Sequence, residues 1–186
     1  MKKALTSCLL ALVALAVLGC GDQDRRDTGG IAIVVSSFNG VPLAVSMNAT
    51  IDPVSGIGFV QIDQIDLQSV VLAGGGSSLQ QVELQAYEVT YRRVDAGTRV
   101  PPPLVESIFG IIPAGGTTTL DNLPVLGPEQ LLVPPLSDLL FVNGALDTET
   151  GSDVITLELR VRFFGETLNG TDVASEPIRF SIRFVP

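Results

Sequence analysis

The chain predicts an all-β fold, an antiparallel sandwich of about seven strands. Three observations carry that expectation. Across residues 153–164, Ile155, Leu157, Leu159, Val161 and Phe163 alternate with Thr156, Glu158, Arg160 and Arg162. Across residues 177–185, Ile178, Phe180, Ile182 and Phe184 alternate with Arg179, Ser181 and Arg183. A period of two marks a strand with one buried and one solvated face. Finally, Gly and Pro punctuate the chain at short intervals, and no stretch after Cys20 has comparable helical periodicity. A small β-barrel is the alternative closure of the same strands.

Taken in order, residues 31–38 are apolar and β-branched, and Asn39-Gly40 supplies a turn signal. Residues 59–72 resume the β pattern after a Gly-containing break, with Asp63 and Asp66 interrupting it. Three apart on a straight strand, these aspartates would point to opposite faces. Gly74-Gly75-Gly76 reads as a flexible hairpin loop leading into residues 82–94. There Val82, Leu84 and Ala86 share one face while Tyr87, Val89 and Tyr91 share the other, so a bulge or twist near Glu88, or burial of both faces at different ends, is expected. The two tyrosines are expected in the core or at its boundary, with their hydroxyls reaching the surface. Pro101-Pro102-Pro103 marks a loop or edge, because proline cannot donate to a central ladder. Residues 113–116 form a turn before residues 117–123. In residues 126–146, Pro128, Pro134 and Pro135 forbid a long helix. A leucine-rich connection packed on the core is expected there, with one short helical turn about Ser137 to Leu140.

The last two strands allow a register to be worked out. Inward residues are odd-numbered in one and even-numbered in the other. Opposed residues of an antiparallel pair share a face and have a constant sum, so that sum must be odd. A sum of 341 centres the connection most simply. It opposes Glu158 to Arg183 and Arg162 to Arg179. Arg160, Arg162, Arg179 and Arg183 would then form a basic stripe on the outer face; a solvated face laced with ion pairs is the preferred reading, and a surface for an acidic envelope protein or an anionic glycan is the alternative.

Several strands, Gly/Pro turns and almost no helix resemble immunoglobulin-like or fibronectin-III-like sandwiches in architecture alone. The chain has no Trp, so the immunoglobulin Cys–Trp–Cys signature is absent.

The N-terminus has a different character. Lys2 and Lys3 precede an apolar run over residues 9–18, and Gly19 stands directly before Cys20. The run is shorter than the roughly 20 apolar residues of a membrane span and fits a secretory signal. Val17-Leu18-Gly19-Cys20 resembles the lipobox of bacterial lipoproteins, with Val17 where Leu is commoner. That resemblance implies diacylation of Cys20 through a thioether, cleavage after Gly19 and acylation of the new amino terminus, anchoring the chain in a lipid bilayer. Gly21, rather than Asp, after Cys20 points to the outer membrane under the enterobacterial sorting rule. The chain is thus expected to divide into a signal (1–19), a lipidated cysteine and flexible tether (20–30), and a sandwich domain (31–186).

Composition then excludes chemistries. After residue 19, nine arginines remain as the basic residues against 20 acids, a net charge of about −11 that repels nucleic acid. No His, no Lys and no cysteine other than Cys20 remains. That removes Ser–His–Asp, Cys–His and Ser–Lys catalysis, Schiff bases, and imidazole or thiolate metal sites. No cofactor is expected. Asp147, Glu149 and Asp153, around Gly151, form a weak Ca²⁺ candidate. The run lacks EF-hand spacing and a closing Glu, and a polar turn is the preferred reading. The chain is expected to be a non-catalytic binding or scaffolding domain of the cell envelope. The alternative is a glycan hydrolase built on carboxylates, which needs two acids about 5–10 Å apart across a cleft.

Overall fold

A computed structural model of the protein describes residues 30–51, 58–72 and 78–186. The signal, Cys20, the tether up to residue 29 and Gly74 to Gly76 lie outside the described residues.

Two sheets pack face to face as an immunoglobulin-like antiparallel sandwich. The small sheet has the order β1 (Ile31–Asn39), β3 (Val60–Val71), β6 (Thr117–Leu126). The large sheet has the order β2 (Ala44–Ser46), β9 (Ile178–Val185), β7 (Ile155–Thr167), β4 (Val82–Arg93), β5 (Leu104–Ile112), and β8 (Asp172–Ala174) also pairs with β7. Among the described residues nine strands therefore replace the seven expected, two of them only three residues long. The chain crosses between sheets from β1 to β2, from β2 to β3, from β3 to β4, from β5 to β6 and from β6 to β7. β3 and β4, on either side of the undescribed residues 73–77, therefore lie in different sheets and do not pair with each other. The first strand is also divided, because β1 lies in the small sheet while β2 pairs parallel with β9 in the large one.

The inward faces match the period-two reading. Ile155, Leu157, Leu159, Val161 and Phe163 are fully buried, as are Ile182 and Phe184 of β9. They meet Ile31, Ile62, Ile65 and Leu67 of the small sheet in one core.

The β7–β9 register has an odd sum, but it is 339: Leu159 opposes Phe180, Glu158 opposes Ser181 and Arg160 opposes Arg179. The expected sum of 341 fails because β7 runs on to Thr167 and turns tightly. Gly170, at φ +83°, closes the turn, with the Gly170 N–H donating to Thr167 O and the Thr167 N–H to Thr171 O. β8 then follows a sum of 338, and an extra residue around Pro177 shifts the pairing by one before β9 begins.

Two other expectations shift for similar reasons. The bulge in β4 falls at Gln85, between Leu84 and Ala86, three residues before Glu88. It brings Val82, Leu84, Tyr87 and Val89 all onto the core face. In β3, Ile62 and Ile65 are both buried, so Asp63 and Asp66 both lie outward. The paired strand β6 accommodates this change of phase at Asn122, whose φ is +54°. Asp66 is a peg there, accepting the hydroxyls of Ser37 (2.6 Å) and Thr119 (2.7 Å). The Ser37 bond, then that of Thr119, lowers its pKa.

The connection from β6 to β7 is leucine-rich and packed, as expected. It contains one turn of helix, α2 (Pro128–Leu131), and a 3-10 turn at Leu136–Leu139, within a residue of the expected position. Leu131, Leu136 and Leu139 are fully buried. An earlier single turn, α1 (Met47–Thr50), buries Met47. The sandwich has two distinct ends. Ile31, Val71, Val82, Ile112 and Thr167 gather at one, through the pairs Ile31–Val71, Val82–Ile112 and Val82–Thr167. The long β6–β7 connection and residues 94–103 lie at the other.

Candidate functional site

Three features of the folded chain have functional potential, and the first is a polar knot at the end away from Ile31. Arg93 closes β4 with an inward-facing side chain only 2% exposed. Its Nε donates to Asp95 Oδ1 (2.6 Å) and its Nη2 to Asp147 Oδ2 (3.0 Å). Its Nη1 makes no hydrogen bond and lies 4.0 Å from Glu149. Arg99 adds a second guanidinium, reaching Asp138 (3.0 Å), Asp147 (3.3 Å) and the Thr148 hydroxyl (2.7 Å). Glu149 accepts the backbone N–H groups of Thr98 and Arg99 and the Thr98 hydroxyl. Two arginines thus tie residues 94–103 to the β6–β7 connection through four carboxylates.

Of the three suggested Ca²⁺ residues, Asp147 and Glu149 are part of this knot. Asp147 is fully buried. Burial alone would raise its pKa, but hydrogen bonds from Thr150, Arg93 and the Glu149 backbone hold it at about 2. Glu149 is likewise lowered, first by the Thr98 hydroxyl. Both carboxylates are therefore already matched to guanidinium, hydroxyl and amide donors. Asp153 is exposed and does not join them. No group of three or more metal-ligating side chains gathers among the described residues.

The second feature is the outer face of the large sheet. Arg160, Arg162, Arg179 and Arg183 all stand there, because their neighbours Leu159, Val161, Ile182 and Phe184 fill the core. They are not equivalent. Arg160 donates to Glu158 (3.1 Å), which Arg92 of β4 also holds at 2.9 Å. The Arg92 bond, then the Arg160 bond, brings the Glu158 pKa to about 2. Arg162 donates to Ser175 O, lies 5.3 Å from the centre of the Phe164 ring, and opposes Glu88. The expected Glu158–Arg183 pair is replaced by Glu158–Arg92, and Arg183 opposes Thr156. Arg179 and Arg183 are exposed, and Arg179 opposes Arg160. Like charges set across a ladder leave an unsatisfied demand for an anion.

The third feature had no signal in the sequence. β5 and β6 are joined by the turn at residues 113–116, yet they belong to different sheets and diverge from it. A cleft of about 720 Å³ opens between them. Leu104, Glu106 and Ile108 of β5 form one wall. Leu120, Asp121 and Pro124 of β6 form the other, with Glu129 of α2 beyond. Tyr87 contributes to the floor; it is almost fully buried and donates its hydroxyl to Pro124 O at 2.7 Å. Tyr91 does the same to Val125 O at 2.8 Å. The tyrosine hydroxyls thus bridge the two sheets instead of reaching the surface. Burial, then Glu106, pushes the Tyr87 hydroxyl well above its ordinary range, so it remains a proton donor.

No known protein family matches the chain, and no characterised protein matches it in sequence. Its function must therefore be argued from these features.

Proposed function

We propose that the chain is a membrane-anchored extracytoplasmic lipoprotein whose sandwich is a non-catalytic binding or scaffolding module of the cell envelope. Lipid on Cys20 would hold it to the bilayer, since two or three acyl chains anchor stably where one does not. No helix among the described residues is long and apolar enough to cross a membrane. The observation that carries the binding reading is the outer sheet face. On a chain with 20 acids, it sets exposed Arg179 and Arg183 beside Arg160, and Glu158 is the one carboxylate in an ion pair with any of these three among the described residues. An acidic envelope protein or anionic glycan is the partner this charge suits.

Two measurements on cells test the proposal. Labelled fatty acid should enter the wild-type protein and not Cys20→Ala. A photo-crosslinker at Ser181, between the arginines, should capture an envelope component, and Arg179→Ser with Arg183→Ser should abolish capture. Equal labelling of both proteins removes the anchor, and capture indifferent to the arginines removes the binding face.

A second reading has one specific observation in its favour. A hydrolase working through carboxylates requires a cleft with acids on opposite walls. Glu106 on β5 and Asp121 and Glu129 across from it meet that description. Glycan turnover by the purified protein, lost in Glu106→Gln, would establish this reading; no turnover removes it.

A further inference from the structure

We propose that the cleft between β5 and β6 receives an extended cationic peptide segment, which lies along β5 as an added strand. The inference goes beyond the binding reading above, which concerns the outer face of the large sheet.

Charge gives the first argument. Every ionisable carboxylate or guanidinium lining the cleft is an acid: Glu106, Asp121 and Glu129. No arginine lines it among the described residues. All three acids are exposed, and no ion pair within the chain neutralises any of them among the described residues. The polar knot described above matches its acids to arginines, whereas the cleft gathers three acids on facing walls with no arginine between them among the described residues.

The second argument is the strand edge. β5 pairs with β4 along one side and ends the large sheet on the other. Near the turn, the Thr118 hydroxyl of β6 donates to Ile111 O, so a backbone acceptor on that free side is satisfied by β6. Further along β5 the two strands diverge and the cleft replaces β6. An incoming chain would there complete the ladder, as in strand addition to an open edge.

The third argument is surface chemistry. Natural edge strands are usually protected by charge or proline. Charge on β5 is confined to Glu106, at the cleft, while Val105 (65% exposed), Phe109 (77%) and Ile111 (42%) are open to solvent, Phe109 also bordering the cleft. A strand laid beside it would set alternate side chains on two sides. One set meets Leu104, Ile108 and Leu120 in the cleft, and the other extends the apolar row of Val105, Phe109 and Ile111. Arginine or lysine side chains interspersed in such a segment reach Glu106, Asp121 and Glu129 at the rim. A sugar chain has neither backbone N–H groups for the edge nor an apolar row for β5.

The test uses the purified full chain in neutral detergent and a fluorescent, end-blocked peptide of alternating arginine and valine. Saturable binding is expected, and the combined substitutions Glu106→Gln, Asp121→Asn and Glu129→Gln should weaken it about tenfold or more. These isosteric changes at exposed positions should leave the melting temperature unchanged. A matching glutamate–valine peptide should fail to bind, and so should the arginine–valine peptide N-methylated at alternate residues, which cannot complete the ladder. Equal binding of the acidic and basic peptides would overturn the proposal, as would indifference to N-methylation. Concentration-dependent self-association abolished by Phe109→Asp would also overturn it, since a second copy would then occupy the edge. Glycan turnover lost in Glu106→Gln would likewise count against it. A failed peptide titration with Cys20 labelled and the Ser181 cross-link intact removes the cleft proposal alone; loss of the labelling or cross-link with peptide binding intact removes the envelope reading alone.

Discussion

Asp147→Asn should be among the most costly single polar substitutions in this chain. The side chain accepts Arg93 at 3.0 Å, Arg99 at 3.3 Å, the Thr150 hydroxyl at 2.7 Å and the Glu149 N–H at 3.2 Å, all with no exposure to solvent. An amide keeps the shape but loses the charge and turns one acceptor into a donor facing two guanidinium groups. Removing one partner of a buried pair typically costs about 3–5 kcal/mol. Arg93 keeps Asp95 at 2.6 Å, so the lower end, about 3 kcal/mol, applies. For a domain of this size that lowers Tm by about 6–12 °C. The charge also fixes the acid limb of stability. The folded pKa of Asp147 is about 2, below the ordinary 3.8, so its contribution is complete above the unfolded pKa and is lost as pH falls from about 4 towards 2. That loss is on the order of 2 kcal/mol. Thermal melts followed by circular dichroism between pH 7 and pH 2 measure both quantities. The wild type should lose its advantage over Asp147→Asn as the pH falls, and the double variant with Arg93→Met should be less destabilised than the sum of the singles. A neutral-pH Tm within about 1 °C of wild type, well inside the shift expected for 1 kcal/mol, would refute the argument that this knot holds the far-end loops together.

Other substitutions probe the remaining features by the same melts. Gly97→Ala would set a Cβ 2.4 Å from the Arg93 guanidinium carbon, which cannot move without leaving its carboxylates, and should cost about 1–3 kcal/mol. Gly165→Ala would set a Cβ 2.5 Å from the backbone oxygen of Glu83; a shift of β4 is then unavoidable, at a similar or greater cost of about 1–3 kcal/mol. Leu159→Asp buries a carboxylate where a fully buried core side chain stood, losing about 2–5 kcal/mol of packing before the charge is counted, and should abolish cooperative unfolding. Arg179→Glu converts the opposed Arg160–Arg179 pair into an attractive one and should be neutral or stabilising by up to about 1 kcal/mol. The same change at Arg162 would face Glu88 and should be mildly destabilising.

The strands most legible in the sequence are those with one uniformly apolar side. The inward residues of β7 and β9 follow from alternation alone. Their register does not, because Phe164, Gly165 and Glu166 break the alternation while the strand continues to Thr167, and no pattern announces the extra residue near Pro177. β2 and β8 are too short, at three residues each, to show a period. β5 was hidden for another reason. Val105, Phe109 and Ile111 are open to solvent, while Glu106 lies at the cleft, so its polarity is nearly the reverse of a half-buried strand. The candidate sites divide along the same line. The arginines of β7 and β9 could be placed on one face because alternation places them. The acid run at residues 147–153 suggested a ligand for oxygen donors. Arg93 and Arg99, which occupy Asp147 and Glu149, lie about fifty positions away in sequence, and only the fold brings them there.

The split first strand has a mechanical consequence. β1 runs beside β3 over its whole length, from Ile31 opposite Val71 to Asn39 opposite Gln64. Tension applied at residue 30 and directed out of that end acts along the strand. It therefore strains the rungs of the β1–β3 ladder together, in shear, instead of peeling them one at a time. Beyond Gly40 the same chain is gripped again by the parallel β2–β9 ladder, and the Ser46 hydroxyl donates to the C-terminal Pro186 O at 2.8 Å. Withdrawing the N-terminal segment thus requires rupture in both sheets, and a force transmitted from the opposite end of the sandwich to residue 30 meets the domain along its stiffest direction.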